Sequence, residues 1–373
     1  MEDHPRADAT QHPTPANTGA PERPWLSHYS AGVPHQIEIP DRPLTALLDD
    51  AVTRFGANVA IEYFGTQIPY VRLSALVERF ARALRALGVR RGDRVSLCLP
   101  NTPQFVIACY AALKAGAVVV PTNPLYTSPE LEHQLSDSGA SVIVMLDQFY
   151  PTLAAVRART PIQHVILTSA ADYFPPALAL AYHAKARIER RGQPAITPRA
   201  LRGDPSVHWF KPLLGPASGP AGYEVFPTEE AARADELALL QYTGGTTGVA
   251  KGAMLTHRNL LANAMQCWAW NELPLDAKHS SLCIAPFFHV YGLTVGMNLT
   301  ILNGSTLVLL PRFSVKEALK AIEQYKPDLF PGVPTLYLAL AREVEKGGHD
   351  LSSIKICISG SAPLPLEVQQ RFE

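Results

Sequence analysis

Between residues 94 and 169 the chain alternates continuously apolar runs with stretches whose apolar residues recur at helical spacing, and this rhythm restricts the fold more than any other feature. RVSLCLP (94–100), AVVVP (117–121), SVIVML (141–146) and HVILTS (164–169) read as short strands apolar on both faces. Strands of that kind belong in a largely parallel sheet covered by helices, because only there are both faces dry. The intervening segments fit. PQFVIACYAALKAG carries Pro103 in its first turn, SPELEHQLSDSG opens with Ser128 and Pro129, and a short helix is expected near 149–158. Upstream, TALLDDAVTRF (45–55) and SALVERFARALRALG (74–88) read as helices, the second capped by Ser74 and ended by Gly88.

A second block repeats the rhythm. It comprises helix 257–270, strand SLCIAP, helix 291–303, strand TLVLLP, helix VKEALKAIEQYK, strand DLFPGVP, helix PTLYLALAREVEK, strand IKICISG and a final helix LEVQQRFE. The blocks share a period but no clear residue repeat, so the expectation is α/β, two similar α/β subdomains with mostly parallel sheets covered by helices. Residues 172–222 interrupt the pattern as an insertion with a local basic patch in DYFPPALALAYHAKARIERRGQPAIT. It reads as a segment packed on the domain surface, the alternative being contact with membrane or lipid. Residues 1–35 read as a disordered leader and 36–373 as the folded domain.

The 33 Lys plus Arg balance 33 Asp plus Glu, so no net field attracts nucleic acid. Cys98, Cys109, Cys267, Cys283 and Cys357 are scattered, mostly in apolar runs and without a CxxC pair. They are expected as reduced core thiols in a cytoplasmic protein, neither disulfide framework nor metal site. The start of the chain has no signal-peptide pattern, and the apolar stretch 105–121 is broken by Lys114 and Gly116, which favours a buried helix and strand over a membrane span.

The chemistry is concentrated in YTGGTTGVAKG (242–252), which follows the apolar strand ELALLQYT and leads towards a helix near His257. Glycines let successive N–H groups converge on one anion; Thr243, Thr246 and Thr247 add hydroxyls and Lys251 a mobile cation. A Walker A loop is excluded, since Ala250 precedes the lysine and Gly252 follows it where that motif needs Gly-Lys-Ser/Thr. The bland reading, a surface turn, accounts for the glycines but not for the threonines and lysine.

The longer stretch YTGGTTGVAKGAMLTHRN resembles the signature loop of the AMP-forming, adenylate-forming enzymes, which include acyl-CoA synthetases, luciferases and peptide-synthetase adenylation domains. ALKAGAVVVPTNPLY (112–126), PFFHVYGL (286–293), GVPTLYLAL (332–340) and SGSAPL (359–364) resemble further family segments in the same order, so the likeness spans about residues 40 to 373. It implies ATP, Mg2+ and coenzyme A as a co-substrate. Thr243, Gly244, Gly245, Thr246, Thr247, Gly248 and Lys251 would hold the departing pyrophosphate. Ser359, Gly360, Ser361, Ala362 and Pro363 would form the adenine corner; from the residues alone SGSAP is a turn before a helix capped by Ser361 or entered at Pro363. His289 stands nearest the substrate carboxylate by the same resemblance, although a lone histidine between apolar residues is ordinarily a core residue. Thr243, Lys251 and His289 are thus the catalytic candidates, no metal ligand is assigned, and His257 and Arg258 read as loop support.

The TGGTTG loop, PFFHVYGLT and the insertion are similar to long-chain acyl-CoA synthetases, which implies a fatty acid as substrate, with a medium-chain or aromatic acid or a non-catalytic nucleotide-binding remnant as alternatives. The family continues after SGSAPL through a Tyr-Gly-x-Thr-Glu segment and a small C-terminal domain with a catalytic lysine. The chain reaches Glu373 before these, so a truncated protein, weak or inactive alone, is expected. Expected partners are the small-molecule substrates, peripheral membrane contact, and a homodimer or a completing C-terminal fragment.

Overall fold

The computed structural model describes residues 23–189, 201, 203–215, 232–244, 249–271 and 278–373. The chain divides into two compact units, Met1–Ile37 and Glu38–Glu373. In the first, the described part of the expected leader forms a 3-10 turn, Pro24–His28, with no buried side chain; residues 1–22 lie outside the described residues.

The second unit holds two sheets. One has seven strands in the order β7–β6–β5–β3–β4–β8–β9. They are β3 (Arg94–Cys98), β4 (Val118–Pro121), β5 (Val142–Leu146), β6 (His164–Thr168), β7 (Val207–Trp209), β8 (Leu237–Thr243) and β9 (Lys251–Thr256). The other has six, in the order β13–β12–β10–β11–β1–β2. They are β1 (Val59–Tyr63), β2 (Thr66–Pro69), β10 (Ser280–Cys283), β11 (Thr306–Leu309), β12 (Leu329–Gly332) and β13 (Ile356–Ser359). Pairing is parallel except at β1/β2 and β8/β9. The two mostly parallel sheets match the expected fold class.

The helix Pro103–Lys114 is buried from Pro103 to Leu113, as expected of a helix apolar all round. It joins the two halves. Phe105 packs on Phe287 with ring centroids 5.7 Å apart, and the Tyr110 hydroxyl donates to Asn298 Oδ1 at 3.2 Å. Asn298 ends a π-helical stretch, Gly292–Asn298, that continues as the α-helix Leu299–Leu302, where a plain helix over 291–303 is the sequence expectation.

Several expectations are corrected. The helix expected from Ser74 begins at Tyr70 behind Pro69, leaving Ser74 inside it, because β2 delivers the chain earlier. Gly88 does follow the helix, with φ +89. The helix Ser128–Ser138 opens with Ser128 and Pro129 as expected, and Thr127 caps it, its backbone N–H and hydroxyl both meeting Glu130. The segment 172–222 is not wholly an insertion. Its helix Pro176–Glu189 brings Tyr182 edge-on to Phe174 at 5.7 Å, but it also supplies the edge strand β7 and Phe210, which packs on Phe80 at 4.5 Å. Residues 190–200, 202 and 216–222 of it lie outside the described residues. Of the cysteines, Cys98, Cys109 and Cys283 are buried, whereas Cys357 is exposed on the edge strand β13, contrary to a core thiol. Among the described residues no helix is long and apolar enough to cross a membrane.

Candidate active site

The glycine-rich segment closes a hairpin. β8 runs beside β4, then turns back as β9, with Thr243 directly opposite Lys251 and Tyr242 opposite Gly252. A strand thus stands between the loop and the helix His257–Ala269, which corrects the expected strand–loop–helix order. An anion held here would meet loop amides and the Lys251 cation, not a helix N-terminus. Thr243, Gly244 and Lys251 are exposed; Gly245, Thr246, Thr247 and Gly248 lie outside the described residues.

The hairpin is braced from the side by the helix Ser128–Ser138. The Tyr242 hydroxyl donates to Asp137, and desolvation, then the Asp137 carboxylate beside it, raises its pKa. His133 Nε2 meets Ala250 O at 3.0 Å. Gly252 is required opposite Tyr242, since a Cβ there would lie 3.1 Å from the ring. At the far end of β9, Thr256 caps the next helix through Asn259, and His257 is turned inward. His257 is 1% exposed and its Nδ1 accepts from Leu44 N at 3.2 Å; desolvation lowers its pKa to about 4. It supports the fold as a neutral ring.

His289 sits on the segment that follows β10. It is exposed, not a core histidine, and partial desolvation lowers its pKa below the ordinary 6.5. Phe287 is fully buried, while Phe288 lines a cleft of about 250 Å³. That cleft lies at the carboxyl ends of β3, β10, β11 and β12, between Pro100, Asn101, Pro286, Phe313, Val333 and Leu336, and Arg312 is the charged residue among its lining. The crevice beyond the carboxyl ends of parallel strands is where open α/β sheets bind ligands.

Two buried amides hold this segment. Asn101 Nδ2 donates to Cys283 O and Ala285 O, both at 3.0 Å, and its Oδ1 accepts from Phe287 N at 2.8 Å. Gln241 Nε2, from β8, donates to Phe288 O at 3.1 Å. The end of β8 is thereby bonded to the loop of His289. Neither amide was marked by the motifs; the available signal was a polar residue just past a strand-ending proline, and one inside an otherwise apolar strand.

The SGSAP corner is drawn to the same loop by Tyr291. Its hydroxyl bonds Gly332 O at 2.9 Å and Ile358 O, and desolvation raises its pKa. Its ring lies against Gly360, where a Cβ would be 2.3 Å from Tyr291 Cε2. Ser361 has φ +66, and Ser361, Ala362 and Pro363 are exposed; Ser359 is half-buried. The following helix starts at Leu366, as LEVQQRFE predicts, behind Pro365, so neither Ser361 nor Pro363 caps it.

Residues 48–373 match the AMP-binding enzyme family, and the chain belongs to it. It is 39% identical over 356 residues to a long-chain-fatty-acid–CoA ligase of Bacillus subtilis, covering 94% of this chain and 61% of that protein. A solved long-chain-fatty-acid-CoA ligase from Archaeoglobus fulgidus superposes with a TM-score of 0.72 at 26% identity, over 92% of this chain and 62% of that one. ATP-bound MatB from Rhodopseudomonas palustris gives 0.69 at 26%, over 89% and 57%. The chain thus spans about 61% of the length of the curated relative it matches.

Proposed function

We propose that this chain contributes the nucleotide- and acid-binding part of an ATP-dependent activation of long-chain fatty acids. In that reaction a carboxylate oxygen attacks the α-phosphorus of ATP and pyrophosphate leaves. The thiol sulfur of coenzyme A then attacks the acyl carbon of the adenylate and AMP leaves. The observation that carries the reading is the bond from Gln241 to Phe288 O, which sets a lysine-bearing glycine hairpin beside the His289 loop.

Bringing an anionic nucleophile to a polyanion requires charge neutralisation and alignment. Lys251 and the amides of the 244–250 loop would take the pyrophosphate charge, with the Thr243 hydroxyl beside them. Desolvation lowers the His289 pKa, which favours the neutral ring, so it would meet the acid by a hydrogen bond. The apolar cleft supports a hydrocarbon tail over a polar acid. Gly360 and the exposed corner after it offer bare backbone for a flat base. Among the described residues no group of three or more His, Cys, Asp or Glu could hold a metal.

Membrane contact belongs to the same reading. The helix Pro176–Glu189 leaves Leu180 74% and Ile188 64% exposed beside Arg187, apolar and basic together. Co-sedimentation with anionic vesicles, lost in a Leu180→Ser, Ile188→Ser double variant, tests it.

The functional test is calorimetric binding of a non-hydrolysable ATP analogue, then palmitoyl-hydroxamate formation with ATP and palmitate. Lys251→Ala weakens analogue binding about tenfold, an isolated charge–phosphate contact of roughly 1–2 kcal/mol. Analogue binding without hydroxamate assigns a binding role only; no binding at all refutes the proposal.

A further inference from the structure

The segment 284–288 has left the six-stranded sheet, and its polar backbone must be satisfied by something else. The last ladder residue of β10 is Cys283, paired with Leu309. Beyond it, buried backbone groups need side-chain partners or carry a penalty. Ala285 O, Phe287 N and Phe288 O find theirs in Asn101, in the turn that follows β3, and Gln241, in β8 of the other sheet. Both amides are buried, at 2% and 4% exposure, and neither carries charge. Asn101 uses its carbonyl once and its amino group twice, so its orientation is determined by three bonds. Within the segment's neighbourhood the remaining backbone bonds are local, from His289 N to Pro286 O at 3.1 Å and from Leu293 N to His289 O at 2.9 Å. A local turn sets the shape of the loop but not where it stands relative to the glycine hairpin.

We propose that Asn101 and Gln241 are positioning residues, which clamp residues 285–288 across the two sheets and thereby set where His289 stands relative to the glycine hairpin. Gln241 lies two residues before Thr243 on the same strand, so its bond ties the loop to the strand that delivers the phosphate-side residues. Asn101 holds the opposite side, from the end of β3, and lines the apolar cleft. Neither touches the reacting atoms. The weight given to His289 rests on the function proposed above; the clamp itself does not, because it is a statement about where a loop is held.

The experiment reads that loop directly. Imidazole ¹⁵N–¹H spectra of the full chain are titrated with pH, the His289 signal being assigned by its loss in His289→Gln. In the unmodified protein His289 titrates below the ordinary 6.5, through desolvation. Gln241→Met keeps the side-chain volume and removes the bond to Phe288 O; Asn101→Ser removes three. Release of the loop changes the surroundings of His289, and its titration shifts away from that of the unmodified protein in both variants. His257, buried elsewhere with its pKa lowered to about 4, stays unchanged and reports that the fold is intact. Should His289 titrate identically in unmodified protein and Gln241→Met while His257 is unmoved, the clamp is refuted. Gln241→Met, which removes the Gln241 Nε2 bonds to Phe288 O and to Tyr242 O, decides the matter alone if Asn101→Ser does not fold. Because no nucleotide or acid is present, the outcome is independent of whether the chain activates fatty acids.

Discussion

Replacing His257 by asparagine removes a titrating group while keeping a hydrogen-bond acceptor where Nδ1 now meets Leu44 N at 3.2 Å. The ring is 1% exposed, and desolvation lowers its pKa from 6.5 to about 4. Between these values the unfolded chain binds a proton that the folded protein rejects, so stability rises with pH across the window. The contribution is fully present above 6.5 and is lost as pH falls towards 4. The difference of 2.5 units (6.5 − 4) at about 1.4 kcal/mol each amounts to roughly 3 kcal/mol. His208 and His289 are also lowered, by desolvation first, and add to the acid sensitivity of both proteins; they cancel in the comparison. The assay is equilibrium urea unfolding at a series of pH values for both proteins. The free-energy gap between neutral pH and pH 4 is smaller in His257→Asn by about 3 kcal/mol. Parallel pH profiles would mean that His257 is not the buried neutral acceptor described here.

Asn101→Ala leaves Ala285 O and Phe287 N without their partner, whereas Cys283 O keeps Leu310 N at 3.2 Å. Two buried orphans at about 1–3 kcal/mol each lower stability by roughly 3 kcal/mol, measured by urea unfolding at pH 7. Gly360→Ala drives a Cβ to 2.3 Å from the Tyr291 ring and costs about 1–3 kcal/mol. In a Gly360→Ala, Tyr291→Ala pair the cost is less than the sum of the single changes, a non-additivity that an unfolding cycle detects. A maleimide added to native protein labels Cys357, which is exposed although desolvation pushes its thiol up to about 12, and, more slowly, the half-buried Cys267; the buried Cys98, Cys109 and Cys283 stay unlabelled by mass spectrometry.

Several elements buried on both faces were legible before folding. β3, β5 and β6 are buried at nearly every position and carry apolar runs, and the helix Pro103–Lys114 announces itself by an apolar run behind proline. Of the edge strands β13 was legible, as IKICISG, but the others were not. β9 is largely exposed and shows no alternation, β7 has three half-buried residues, and β2 ends in the Pro69 that precedes the helix. Thr243, Lys251, His289 and the 359–363 corner became site candidates through the resemblance, whose motifs are written in consecutive positions. Asn101 and Gln241 were not found, since their partners lie 182–186 and 47 residues away.

The order of residues alone dictated the two α/β blocks, the strand-to-loop transitions and the residue types that can face a phosphate or an acid, since each depends on periodicity and on neighbours along the chain. Folding alone decided that β8 and β9 pair as a hairpin, that His257 is buried and His289 exposed, and that Gln241 of one sheet bonds the loop after a strand of the other. Those outcomes follow from long-range hydrogen bonds and desolvation, which depend on what another segment brings to the same place and not on the residue itself.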